Sequence, residues 1–313
     1  VDNSTAQRAG GTSPAEGVRL REVVAALERL YPLDTAQAWD RVGLVAGDPD
    51  QPVSRIHLAV DPTLAVIAEA REAGADLVVT HHPLLLRGIH SVATTSAKGA
   101  AVTELVVHDI ALYCAHTNAD VADQSRAGVG HALAAACGLG ATRALEVTED
   151  QELGRVGDLE TPTTLRELAE RLSTALPSTA GGVRVAGPGQ AQVRRVAVLG
   201  GAGDASFDAV RRSGADVYVT ADLRHHPALE AREEAAIGDG TPYLIDAGHY
   251  ASEWLWLPGL AQRLLGELGA AADRLEVHIS TVRTDPWDFV VGAQQGGGDP
   301  GRPHDATIPG GPQ

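Results

Sequence analysis

Five of the twelve histidines stand where apolar, strand-like runs end: His81, His82, His116, His226 and His249. Two of them open a His-x-x-x-carboxylate spacing, His116 with Asp120 and His249 with Glu253. Imidazole nitrogens and carboxylate oxygens, with no thiolate among them, suit Zn, Mn, Fe or a similar divalent ion, and a carboxylate can bridge a pair of ions. Any single element of this set is weak, since a lone strand-end histidine is more often packed or solvated, and His-x-x-x-Glu on a helix is commonly a solvated pair. The joint pattern is stronger. Thr80-His81-His82-Pro83 directly follows a buried run, and Pro83 stops that strand and presents both imidazoles at its mouth.

The elements that must position these groups form a mixed pattern. The periodicity predicts a strand over 55–61, a helix over 64–73 closed by Gly74, and a strand over 76–80. That is a β-α-β unit, which implies a parallel sheet with a crossover helix. The same pattern returns about 140 residues later as a strand over 195–199, a helix over 207–213 and a strand over 216–220, with Gly74-Ala75-Asp76 and Gly214-Ala215-Asp216 in register. Third strands over 110–115 and 243–247 lead into the two His-x-x-x-carboxylate turns. The expected fold is α/β: two pseudo-symmetric lobes related by an internal repeat, with the metal site in the cleft between them, beyond the carboxyl ends of the strands. The first lobe is expected over 18–140, beginning with a helix over 18–30. A connecting hairpin and helix is expected over 141–192, with capping-box spacing at Thr164 and Glu167, and the second lobe over 193–290. Residues 1–17 and 291–313, rich in Gly, Pro, Ser and Gln, read as disordered tails.

Composition removes several classes of function. The 313 residues carry 41 acidic and 25 basic side chains, a net charge of −16, which opposes binding to a phosphate backbone or an anionic membrane. Lys98 is the only lysine and no Gly-x-x-x-x-Gly-Lys-Ser/Thr occurs, so a Walker-type site is absent. No apolar stretch reaches the roughly 18 residues of a membrane helix, and no signal-peptide pattern opens the chain, so a cytoplasmic location is expected. Cys114 and Cys137 have no C-x-x-C spacing and read as small buried hydrophobes. Gly200-Gly201-Ala202-Gly203-Asp204 lacks a complete G-x-G-x-x-G and reads as a tight turn at the pocket edge rather than a dinucleotide site. Trp254 and Trp256 continue into Leu257, Leu260 and Leu264, which suggests core or subunit-interface packing.

Five stretches, in order, resemble a known family. They are Trp39-Asp40-Arg41-Val42-Gly43-Leu44-Val45-Ala46-Gly47-Asp48, Gly74-Ala75-Asp76 through His81-His82-Pro83-Leu84, Ala115-His116-Thr117-Asn118-Ala119-Asp120, Val219-Thr220-Ala221-Asp222 through His226, and Asp246-Ala247-Gly248-His249-Tyr250-Ala251-Ser252-Glu253. Together they are similar to the Nif-three-like or YbgI-type proteins, often labelled GTP cyclohydrolase I type 2 homologs, over about residues 18–290. The resemblance implies a two-lobed α/β fold, a dinuclear centre with two divalent ions per subunit (Zn, Fe or Mn), and a toroidal homohexamer. Carried over by position, it places His81, His82, Asp120, His249 and Glu253 on the metals, with Glu253 as the bridge. His116 and His226 line the same pocket behind the ligands or as proton carriers, and so are the catalytic candidates. Arg41, where a small or Asn side chain is usual, and Ala221, often Gly, depart from the pattern without removing a ligand. With about 50 residues between the lobes, the chain resembles the members without a large inserted domain.

Two metals sharing a carboxylate would hold a bridging hydroxide near neutral pH and polarise a substrate oxygen or ring C=N, which makes hydrolysis of a small molecule the natural chemistry. GTP ring opening is implied by the family label alone. The competing expectation is a non-enzymatic metal-binding hexamer acting in storage, as a chaperone or in regulation. A metal that merely staples the lobes is a third.

Overall fold

The computed structural model describes residues 17–121 and 127–292. The two expected tails, apart from their innermost residues, lie outside the described residues. The fold is mixed α/β, built on two main sheets. In the first, the order is Glu276–Ile279, Arg55–Ala59, Leu77–Thr80, Ala111–Cys114 and Gly43–Ala46. The first four run parallel and the last is antiparallel to its neighbour. Leu77–Thr80 and Ala111–Cys114 are buried along their whole length. That burial explains why they read as unbroken apolar runs rather than alternating ones.

The second sheet has the order Arg143–Thr148, Gln151–Thr164, Gln192–Ala202, Val217–Ala221, Tyr243–Asp246 and Arg184–Ala186. Its three inner strands from Gln192 to Asp246 are parallel and the flanking ones antiparallel. Both parallel runs use the same local contacts. Asp76 accepts the amides of Ser54 and Arg55 on one carboxylate oxygen, at 2.7 and 2.9 Å. Asp216 does the same for Arg194 and Arg195, at 2.7 and 2.8 Å. The Gly-Ala-Asp repeat is thus a device that ties each helix-to-strand turn to the neighbouring strand.

Residues 141–192 do form the expected hairpin and helix. The helix, Leu165–Ala175, carries the capping box between Thr164 and Glu167. Yet the segment is more than a connector, because it supplies three of the six strands of the second sheet. The last strand crosses the other way: Glu276–Ile279 pairs with Arg55–Ala59 in the first sheet. A clasp fixes that crossing, since Glu69 accepts from Ser280, from the Thr281 amide and hydroxyl, and from His57. Burial alone would raise the Glu69 carboxyl, but these donors bring it down to about 2.

One apolar core spans both sheets, with Leu77, Val79 and Tyr113 from the first and Val196, Val198, Val219 and Ile245 from the second. Leu20–Leu30, Val129–Cys137, Leu165–Ala175 and Trp256–Leu268 add their buried faces to it. Trp256 is fully buried and donates to Tyr31, so it packs the core as expected. Cys114 and Cys137 are buried and free. Among the described residues no helix is long and apolar enough to cross a membrane.

Candidate metal centre

The chain brings its strand ends from the two sheets to one place. His81 and His82 follow Leu77–Thr80, and their amides continue the pairing to Ala59 and Val60 at 3.2 and 2.8 Å. His116 follows Ala111–Cys114 and precedes the short helix Thr117–Asp120, which carries Asp120 at its end. From the second sheet, Tyr243–Asp246 leads into the helix His249–Trp254. There the i, i+4 spacing sets His249 and Glu253 on one face.

Glu253 is the hub. Its Oε1 lies 3.1 Å from His249 Nε2 and 3.6 Å from His81 Nε2, and its Oε2 lies 3.1 Å from His82 Nε2. Asp120 Oδ1 stands 3.6 Å from His81 Nε2, and the His82 and His249 Nε2 atoms approach to 3.3 Å. The His81 ring is 5.1 Å from those of both His82 and His116. Two groups of donor atoms result, His81 with His82 and His116, and His82 with His249 and Glu253; within each group the atoms lie within 4.8 Å of one another. Either could hold a metal ion, and His82 is common to both.

Two buried atoms of this cluster, His81 Nε2 and Glu253 Oε2, have no hydrogen-bond partner. A buried polar atom without a partner costs about 1–3 kcal/mol, and a cation bound among these donors would satisfy both. The donor set of nitrogen and oxygen fits a first-row divalent ion.

The electrostatics of the metal-free cluster follow from burial and charge. Burial would pull His82 down, but Glu253 and Asp61 outweigh it and raise the imidazole to about 11. The same contest, decided by Glu253 and Asp222, brings His249 to about 9. His81 is raised against its burial by Asp120 and Glu253. Glu253 is held well below the carboxylate range by these histidines despite complete burial. Asp120, by contrast, is raised by burial and by the charge of Glu253, against the pull of His81 and His116.

Six of the seven residues singled out from sequence meet here: His81, His82, His116, Asp120, His249 and Glu253. His116 lies within reach of His81 and His82 in one of the two donor groups. His226 does not join them. It is exposed on the first turn of the helix His225–Ile237, with its ring 5.2 Å from that of His225.

Sequence reasoning gave no role to four further groups. His82 Nδ1 donates to Asp61 at 2.7 Å, His249 Nδ1 to Asp222 at 2.8 Å, His116 Nδ1 to Asp40 at 3.0 Å, and His81 Nδ1 to the Ala115 carbonyl at 2.9 Å. Asp61 and Asp222 lie one or two residues beyond a strand end, which is the signal that could have found them. Trp39 was also unassigned. It is 53% exposed, its ring lies edge-on to His116 at 5.8 Å, and its Nε1 is fixed by Gln37 at 2.7 Å.

The glycine-rich turn serves the carboxylate. Gly201 has φ +66°, and a Cβ there would lie 2.5 Å from Glu253 Oε1 and 3.4 Å from His249 Nε2. Gly201→Ala is expected to displace Glu253 and to cost about 1–3 kcal/mol of stability from the positive φ and the clash. Thermal melts with parallel metal analysis read both effects; a variant equal to wild type in both would show that the turn can shift without moving the carboxylate.

Comparison with known proteins agrees with this geometry. The family model Duf34/NIF3 (NGG1p interacting factor 3) matches residues 18–286. A Streptomyces coelicolor protein named GTP cyclohydrolase 1 type 2 homolog is 50% identical, over 86% of this chain and 93% of its own length. A Mycobacterium tuberculosis protein of the same name is 33% identical, over 87% of this chain and 97% of its own. The crystal structure of the Staphylococcus aureus protein SA1388 superposes with a TM-score of 0.77 at 29% identity, covering 88% of this chain and 100% of that one.

Proposed function

The chain belongs to the Duf34/NIF3 family, and from that premise we propose that it is a divalent-metal-dependent hydrolase with a dinuclear centre. The observation that carries the reading is the pair of buried, unpartnered atoms, His81 Nε2 and Glu253 Oε2, inside two donor groups that share His82. In this proposal His81, His82, Asp120, His249 and Glu253 would hold the ions, with His82 ligating one of them, and His116 stands beside them. Zn, Fe and Mn all suit these donors. Bound divalent ions would supply Lewis-acid polarisation of a substrate oxygen and would lower the pKa of water.

The protein's own groups do the rest. Glu253 faces members of both donor groups, His81 and His249 with one oxygen and His82 with the other, so one buried carboxylate balances charge on both. Partial exposure of His82, His249 and Asp120 leaves the cluster open to a small molecule, as a catalytic site needs and a structural staple does not. Trp39 forms a fixed wall beside His116, and the exposed Arg41, whose guanidinium donates to the Asp40 carbonyl, would add a positive group near it. The substrate class named by the relatives, GTP, belongs to the panel to be tested, and a toroidal homohexamer in the cytoplasm is part of the same proposal.

The test is to strip the protein with a chelator, reload it with Zn, Mn or Fe(II), and assay GTP with a panel of cyclic amides and phosphoesters. Stripping removes several kcal/mol of assistance, so the active substrate is expected to lose at least about a hundredfold in rate and to regain it on reloading. Stoichiometric metal with no turnover of any panel member would favour the storage or regulatory role instead.

A further inference from the structure

Every histidine of the cluster is gripped from behind at the same ring atom. Nδ1 of His82, His249, His116 and His81 faces Asp61, Asp222, Asp40 and the Ala115 carbonyl, each at 2.7 to 3.0 Å. Carboxylate and carbonyl oxygens accept and cannot donate, so each Nδ1 carries a proton in either charge state, and the proton that a ring gives up to a cation is the one on Nε2, where the lone pair is then left. The Nε2 atoms of His82 and His249 meet at 3.3 Å and that of His81 is buried without a partner, so the three rings aim the same atom at one place.

These acceptors are themselves held in place. Asp40 is buried, and its second oxygen takes the Thr117 amide at 3.0 Å and hydroxyl at 2.6 Å. Asp61 also accepts from the Thr284 hydroxyl, which ties it to the segment after the last strand. Asp222 adopts φ +51°, a left-handed conformation that an aspartate tolerates better than most residues but that still costs energy. Its side chain is 57% exposed and has no packing reason to sit there.

We propose that Asp40, Asp61 and Asp222 are positioning residues that fix the Nδ1–H tautomer and the ring orientation of His116, His82 and His249, so that the centre is organised for Nε2 ligation before any cation arrives. They also add three negative charges to those of Glu253 and Asp120, a total close to that needed to balance two divalent ions. Outer carboxylates of this kind raise ligand basicity, and their loss typically costs about 10–100-fold in metal affinity. The inference rests on the metal-site reading above.

The test compares Asp61→Ala, Asp61→Asn and Asp222→Ala with wild type. The Nδ1–H hydrogen bond of each ring, and with it the tautomer, is read from nitrogen–proton NMR correlations in the metal-free protein, and zinc affinity is read by competition with a chelator. Each Ala variant is expected to lose about tenfold to a hundredfold in affinity and to mix the tautomers of its own histidine only, His82 or His249. Asp61→Asn, whose amide oxygen still accepts the Nδ1 proton, should restore the tautomer and most of the affinity. Unchanged tautomers in the Ala variants, or Asn as damaging as Ala, would overturn the positioning role. Absence of zinc binding by wild type would overturn the metal reading alone, because the tautomers of the metal-free protein still decide the inference. Exposed Asp222 guards against misfolding of the Asp61 variants, since its replacement removes no buried contact.

Discussion

Glu253→Ala is expected to lower the divalent metal bound by the purified protein from about two equivalents per chain to less than one. The carboxylate reaches His249 and His81 with one oxygen and His82 with the other, so its removal strips a ligand from one donor group and the facing charge from both. Leaving three imidazoles without their shared counter-charge also makes ion entry at either position less favourable. The fold is expected to persist at pH 8, where the imidazoles can give up their protons once Glu253 no longer holds them charged. His226→Ala supplies the contrast, since an exposed histidine outside the cluster should leave metal content untouched. Elemental analysis of the three proteins reads the result directly. Equal metal in Glu253→Ala and wild type would place the ions elsewhere and sink the dinuclear proposal.

How far such a site is legible in sequence depends on whether its signals are local. The parallel strands were legible because burial on both faces demands unbroken apolar runs, as in Leu77–Thr80, and because Gly-Ala-Asp marks the helix-to-strand turn within each repeat. Gln151–Thr164 gave no such signal. It carries glycines, a proline and exposed polar residues, and is a strand only because its partners on both sides supply the ladder. Glu276–Ile279 was equally opaque, since nothing within four residues announces a return to the first sheet. At the site, His81, His82, His249 and Glu253 were legible from their place beyond strand ends. The aspartates behind them were not, because an aspartate in a turn is ordinary and only the folded distance to an Nδ1 gives it a role. His226 shares the sequence pattern of these histidines but sits exposed on the first turn of a helix, outside both donor groups.

Cation binding is expected to strengthen steeply with pH. In the metal-free protein His82 titrates at about 11 and His249 at about 9, so both carry a proton at pH 7 that a metal ion must displace. Affinity for the group formed by His82, His249 and Glu253 should therefore rise on the order of a hundredfold per pH unit between about pH 7 and 9. Above about pH 9 His249 is already neutral and the slope should relax towards tenfold. The stability of the metal-free protein runs in the opposite sense. Histidines raised in the folded state contribute stability that is full below their unfolded pKa of about 6.5 and is lost as pH climbs through the folded values. The metal-free melting temperature should thus fall between pH 7 and 10 while the stabilisation by added zinc grows. Titration calorimetry in buffers of different ionisation enthalpy counts the displaced protons, and about two per ion at pH 8 is the expected result. Zero protons with pH-independent affinity would mean that the metal-free imidazoles are neutral, and that the charge on Glu253 is balanced by something other than the histidines that surround it.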